Sequence, residues 1–215
     1  MPPLSPVSPA SVVAALRAAG CVFAEDEARL ILSAARTPDE VAAMVDRRAE
    51  GLPLEGHPDN LAAALVGGAC LTWNGRIERV ADSVPAEPIA LRPRDERVAT
   101  EHSRSLLPIS VPHEDAAFSA GRAALLGAAL AAGSESLFAS ALDDRLHEPY
   151  RSAFLADVRD DLPETALGVT LSGSGPTLIV WARIGALEEC VADLRHRWPQ
   201  VETMPLRVSS RGAIP

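Results

Sequence analysis

Leu171-Ser172-Gly173-Ser174-Gly175-Pro176-Thr177 is the stretch on which the fold of this chain turns. It lies between Leu167-Gly168-Val169-Thr170 and Leu178-Ile179-Val180-Trp181, two short apolar runs of β character. Two such runs joined by Ser-Gly-Ser-Gly predict strand, tight loop, strand. The glycines admit positive φ and a close approach of backbone to a neighbour. Successive loop N–H groups can form a concave nest for an anion. A Gly/Ser hairpin without a ligand fits the same residues, so the role of the loop depends on the rest of the chain.

After the loop, the pattern predicts a helix from Leu187 to Trp198 and a final strand near Leu206–Ser209. Before it, helices are expected over Glu148 to Asp161, Glu135 to Leu142, His113 to Ala132 and Thr100 to Leu107, with a strand at Ile89-Ala90-Leu91-Arg92. Asn74-Gly75, a strong two-residue hairpin signal, joins the runs Ala69–Trp73 and Arg76–Val80. Asn60 to Val66 reads as a short helix, and Gly51-Leu52-Pro53-Leu54-Glu55-Gly56 as a break. Ahead of that break stand three short helices. The first is capped by Ser8 or Ser11 and stopped at Gly20; the second covers Glu25 to Ala35; the third opens on Thr37-Pro38-Asp39-Glu40. Helices and antiparallel-type strands segregate, which predicts an α+β fold. Residues 1–8 are expected to be a flexible arm, 9–55 a three-helix segment and 56–215 a two-layer α+β domain.

Composition narrows the function. Of 215 residues 47% are hydrophobic and 23% charged, enough for a sizeable core. A net charge of −9 makes nucleic acid a poor partner. No long apolar run and no basic, apolar leader stands in the sequence, so neither a membrane span nor secretion is expected. Cys21, Cys70 and Cys190 are odd in number and in no CxxC pair, which points to a cytoplasmic setting and to no metal site. All 20 basic residues are arginine. Chemistry that needs a lysine, including the G-x-x-x-x-G-K-[ST] loop, is excluded. What remains is the planar guanidinium fork, suited to carboxylates and phosphates.

Three clusters could carry chemistry. His57-Pro58-Asp59-Asn60 gathers an imidazole, a carboxylate and an amide at a helix start; it reads either as a helix cap or as a grip on a small polar ligand. Thr100 and Arg104 are four residues apart and share a helix face. Arg151 follows His147-Glu148-Pro149-Tyr150 at another helix start. Two arginines converging on one cleft could hold a carboxylate bidentately, whereas separately each is an ordinary surface residue.

These residues resemble motifs of the homoserine kinases, members of the GHMP small-molecule kinase family. His57-x-Asp59-Asn60 followed by Gly67-Gly68 is similar to that family's H-x-D-N-x(6)-G-G. Thr100-x-x-x-Arg104-x-x-Leu107-Pro108 resembles its S-T-x-x-A-R-x-x-L-P, with Ala99 for the serine and Ser103 for the alanine. Glu148-Pro149-Tyr150-Arg151 resembles E-P-Y-R, Ser172–Thr177 resembles the third family motif, and Arg211-Gly212-Ala213 its terminal G-A. The order is kept from about residue 56 to the end. The resemblance implies a ferredoxin-like GHMP C-terminal-type domain and ATP-dependent phosphorylation of L-homoserine, with Mg, in threonine biosynthesis. It implies that His57, Asp59, Asn60, Thr100, Arg104 and Arg151 surround L-homoserine. It further implies that Ser172, Gly173, Ser174 and Gly175 support the ATP phosphate loop.

The family's second motif, P-x(3)-G-L-G-S-S-A, does not occur in the sequence. In its place, residues 12–55, with Ala18-Ala19-Gly20-Cys21 and Arg47-Arg48-Ala49-Glu50-Gly51-Leu52-Pro53-Leu54-Glu55, resemble the N-terminal helical domain of release-factor glutamine methyltransferases. The cofactor-binding sheet and N-P-P-Y motif of that family are missing. Two truncated families thus meet near Glu55-Gly56. The expectation is a homoserine-kinase-like chain that binds substrate but is inactive alone. The alternative is a non-catalytic small-ligand-binding or protein-interaction module. A sheet surface normally covered by the absent half favours a homodimer.

Overall fold

The computed structural model describes residues 8–18, 25, 28–29, 31–32, 40, 58–73, 76–94 and 105–212. The chain divides into two compact units, Met1–Ser83 with Ser209–Pro215, and Val84–Val208.

In the first unit, α1 (Pro9–Ala18) opens on a reciprocal cap. The Ser11 N–H donates to Ser8 Oγ and the Ser8 N–H to Ser11 Oγ, both at 3.1 Å, pairing donors a helix start leaves orphaned. Val12 and Leu16, four apart, are buried. Of the second expected helix, residues 25, 28–29 and 31–32 are helical, with Ala28 and Ile31 buried. Of the third, only Glu40 is described, and it is helical. The stop at Gly20 and residues 47–55 lie outside the described residues.

α2 (Pro58–Val66) leads into β1 (Ala69–Trp73) and β2 (Arg76–Ala81), paired antiparallel with Trp73 opposite Arg76. That register suits a two-residue loop, although Asn74-Gly75 itself lies outside the described residues. Two glycines make the α2–β1 junction: Gly67 at φ +75° and Gly68 at φ +69°. Residues 209–212 cross back over them. The Gly68 N–H donates to the Ser209 carbonyl at 2.7 Å, and Arg79 Nη1 donates to the Ser210 carbonyl at 2.8 Å.

The second unit contains β3 (Glu87–Pro93), α3 (His113–Ala132), α4 (Glu135–Ala141), α5 (Glu148–Arg151), α6 (Ala153–Asp160), β4 (Ala166–Leu171), β5 (Leu178–Ala182), α7 (Leu187–Arg197) and β6 (Val201–Pro205). Its sheet runs β4-β5-β3-β6 with every neighbour antiparallel, the split βαβ order of ferredoxin-like folds. Leu178, Val180 and Ala182 alternate along β5 and join Ile89, Leu91 and Val169 on one face. Leu155 and Val158 of α6 and Val191 and Leu194 of α7 cover that face. The two-layer expectation is corrected to three layers, because the sheet is covered on both faces. The other face carries a further layer: Trp181 meets Phe138 of α4 edge-on, with ring centroids 5.2 Å apart, and Ala129 of α3 and Leu142 join them. Among the described residues, no helix is long and apolar enough to cross a membrane.

Two expected elements are corrected. The single helix over Glu148 to Asp161 is two helices, because Ser152 is extended (φ −151°, ψ 108°) and its hydroxyl accepts the Leu155 N–H at 3.1 Å, capping α6. The final strand is residues 201–205, not 206–209. There Val201 and Thr203 alternate inward, and only the Leu206 N–H, donating to the Pro88 carbonyl at 2.8 Å, extends the pairing. Of the helix expected over Thr100–Leu107, residues 100–104 lie outside the described residues.

The register of β4 shifts between Ala166 and Gly168, a bulge on this edge strand. Leu167 lies with the α3–α4 cluster and Gly168 is pressed against Leu142. A Cβ on Gly168 would stand 2.9 Å from Leu142 Cδ1. Gly168→Ala is expected to destabilise the second unit by about 1–3 kcal/mol through overpacking. Urea unfolding would show a lower midpoint at unchanged slope.

Candidate functional site

The Ser-Gly loop joins β4 and β5. The Ser172 N–H donates to the Thr177 carbonyl at 2.9 Å, and the Gly175 N–H to the Ser172 carbonyl at 3.0 Å, so the loop folds on itself. Gly173 (φ +57°) and Gly175 (φ +79°) occupy the left-handed region, and the Gly175–Pro176 bond is cis. A Cβ on Gly173 would meet no atom within 4 Å, so its outer side opens to space, whereas one on Gly175 would press Leu171 at 3.0 Å.

The turn α5 lies against this loop. It is four residues long, too short to hold itself, so its ends must be fixed by contacts. Asp144 fixes the first end. Its Oδ2 accepts from the His147 N–H at 2.7 Å and the Glu148 N–H at 3.1 Å, and its Oδ1 from the Leu146 N–H at 3.0 Å. Burial opposes ionisation of Asp144, but the N–H groups of Leu146, Glu148 and His147 and the Ser119 hydroxyl outweigh it, holding the carboxyl below its ordinary range. The stability it lends is present above its ordinary value near 3.8 and is lost as the pH falls from there through the lower folded value. Asp144→Asn is expected to flatten the acid limb of the stability curve below that pH, as read by urea unfolding at a series of pH values.

Glu148 fixes α5 to the sheet. Its carboxylate is buried; Oε1 accepts the Leu171 N–H at 2.9 Å and Oε2 accepts from Arg159 Nη2 at 2.7 Å. The same Arg159 nitrogen donates to the Val169 carbonyl at 3.3 Å, and Nη1 stands 3.5 Å from Asp143. Three residues along the turn, Arg151 Nη1 donates to the Gly173 carbonyl at 3.4 Å, while its buried Nε has no hydrogen-bond partner. Glu148 and Asp144 also line an open pocket of about 210 Å³ with Ser119, Arg122 and Thr170.

Of the residues read from sequence, the structure brings Arg151 together with the Ser172–Gly175 loop. Asp59 and Asn60, in the other unit, lie exposed in the first turn of α2. His57, Thr100 and Arg104 lie outside the described residues. Asp144, Glu148 and Arg159 were not among the sequence candidates. The E-P-Y-R motif pointed at its arginine, and only the geometry shows the work of its glutamate. Among the described residues, no group of three or more His, Cys, Asp or Glu is placed to hold a metal ion.

No family model matches the chain. It is similar to a homoserine kinase of Gloeobacter violaceus, 39% identical over 152 residues, covering 68% of this chain and 51% of that protein. A homoserine kinase of Streptomyces coelicolor is 38% identical over 182 residues, covering 81% of this chain and 54% of its own length. The chain thus spans about half the length of the curated relatives it matches. The crystal structure of a homoserine kinase from Cytophaga hutchinsonii shares the fold at TM-score 0.64 and 22% identity, over 79% of this chain and 57% of that one. A putative homoserine kinase from Listeria monocytogenes gives 0.55 at 24%, over 80% and 64%.

Proposed function

We propose that this chain carries the substrate-facing part of a homoserine-kinase-type phosphotransferase and binds L-homoserine or a similarly small amino acid. The observation that carries the reading is Arg151. It is placed on the Ser-Gly-Ser-Gly loop through one nitrogen, and its planar guanidinium suits an anionic group. The similarity to homoserine kinases supports the same assignment. On this reading His57, Asp59, Asn60, Thr100, Arg104 and Arg151 surround the amino acid, and Ser172–Gly175 support the nucleotide's phosphate loop. The open side of Gly173 is compatible with that support. ATP with Mg would supply the phosphoryl group. Positioning and charge stabilisation supply most of the catalysis in such transfers, so no strong base is required. Because the sequence lacks P-x(3)-G-L-G-S-S-A, the 215 residues alone are proposed to bind without turnover.

Isothermal titration tests this. L-Homoserine is expected to bind, Arg151→Ala and Arg104→Ala each to weaken binding roughly 10- to 100-fold through loss of a charged hydrogen bond, and Mg-ATP not to bind. Phosphorylation at ordinary kinase rates of about 1–100 s⁻¹ would overturn the no-turnover part. No binding of L-homoserine at millimolar concentration would overturn the whole.

A second reading, a protein-interaction module acting as a homodimer, is favoured by one observation. Leu71 and Trp73, both nearly half exposed, alternate on one face of the two-stranded β1–β2 sheet. Sedimentation showing a dimer that Trp73→Ser converts to monomer would support it; a monomeric parent chain would end it.

A further inference from the structure

β4 is an edge strand, so half of its backbone groups have no strand to pair with. Two consecutive outward groups near its end are the Val169 carbonyl and the Leu171 N–H. Arg159 donates to the first and Glu148 accepts from the second, while the two side chains pair with each other at 2.7 Å. The ion pair thus stands where a neighbouring strand's N–H and C=O would stand. One partner belongs to α6 and the other to α5. The pair therefore fixes α5 to the last residue before the Ser-Gly loop. Arg151, on the same single turn, then reaches the Gly173 carbonyl, two residues beyond Leu171. The loop entrance is held at Leu171 and at Gly173, with Ser172 between.

We propose that Glu148 is a positioning residue. Through the Leu171 N–H it sets the placement of α5 against the loop, and so aims the Arg151 guanidinium at the anionic group of a bound small molecule. The assignment rests on the function proposed above for the molecule that Arg151 meets. Glu148 touches no ligand on this reading and acts through Arg151 and the loop. The requirement is an acceptor at the right reach rather than a charge. Glutamine preserves that acceptor, aspartate withdraws it by one methylene, and leucine removes it.

The test is amide hydrogen exchange on the full chain, joined to titration with L-homoserine, for Glu148→Gln, Glu148→Asp and Glu148→Leu. Glu148→Gln is expected to keep exchange at Gly173–Gly175 and L-homoserine affinity within about 3-fold of the parent. Glu148→Asp and Glu148→Leu are expected to speed exchange in those loop amides by about 10-fold or more. The α7 amides, which Glu87 caps at Gly185 and Leu187, should stay unchanged, and affinity should fall at least 10-fold. Should the leucine variant not fold, the aspartate variant decides alone. Acceleration spread equally over the loop and α7 would reduce Glu148 to a general stabilising residue and overturn the proposal. So would a glutamine variant as impaired as the leucine one. If the parent chain does not bind L-homoserine, the proposed function fails, and the exchange pattern still decides whether Glu148 positions the loop.

Discussion

Gly68→Ala is expected to lower the stability of the first unit by at least about 3 kcal/mol and to open the β1–β2 hairpin. Two costs add. The position sits at φ +69°, where a non-glycine residue costs roughly 1–3 kcal/mol. An added Cβ would lie 2.3 Å from the Ala81 carbonyl oxygen, and backbone, unlike the end of a flexible side chain, can yield only by moving the strand. Moving it would also strain the bond from the Gly68 N–H to the Ser209 carbonyl, which ties residues 209–212 to the junction. A two-stranded sheet is marginal by itself, so little reserve remains to absorb the shift. The measurement is amide exchange at Leu71–Trp73 together with the urea midpoint. Fast exchange there with a lowered midpoint is the expected result. Unchanged protection would show that the Gly67-Gly68 pair serves something other than this close approach.

That pair shows what sequence could and could not tell. Gly67-Gly68 was read as part of a family motif beside His57, Asp59 and Asn60. The structure adds a backbone role: Gly67 meets residues 211–212, more than 140 residues away, and Gly68 meets Ala81 across the hairpin, contacts no local pattern announces. Local signals did well where the cause was local. The bounds of β1 and α3 match the readings built on the Asn74-Gly75 turn and the His113–Ala132 pattern, and β2 runs one residue further, to Ala81. The strand–loop–strand at residues 171–177 is present, as is the antiparallel α+β order. Ser152 was read through as helix interior, because the helical pattern on either side is continuous. Its hydroxyl wins by capping α6, a competition a serine decides case by case. The last strand was placed too late because Val201-Glu202-Thr203-Met204 buries a threonine, a weaker cue than a run of aliphatics.

The candidate site is read in the sequence from an arginine and glycines, residues with distinctive chemistry. Arg151 and the Ser172–Gly175 loop do come together. The groups that hold them there were not legible. Glu148, Arg159 and Asp144 are ordinary charged residues in helix-forming surroundings, and surface solvation is the default reading for each. What distinguishes Glu148 is burial against an edge strand 23 residues away, which depends on the sheet order and not on spacing.

The same edge yields the other large effect. Arg159→Met should destabilise the second unit by about 2–3 kcal/mol, more than its exposure suggests. A guanidinium about one third exposed would ordinarily count for little. Its partner, however, is a Glu148 carboxylate only 8% exposed, and removing one member of such a pair leaves a buried charge without its counter-ion. The Val169 carbonyl loses its donor in the same step. Solvent access on the arginine side keeps the expected loss below the 3–5 kcal/mol range of fully buried pairs. A double-mutant cycle with Glu148→Leu separates the causes. If the stranded carboxylate dominates, the double variant should be less destabilised than the two single losses summed, by about 1–2 kcal/mol. Recovery should stay incomplete, because Val169 and Leu171 would still lack the groups that stand in for a strand. Strict additivity would mean that Glu148 and Arg159 act on β4 independently.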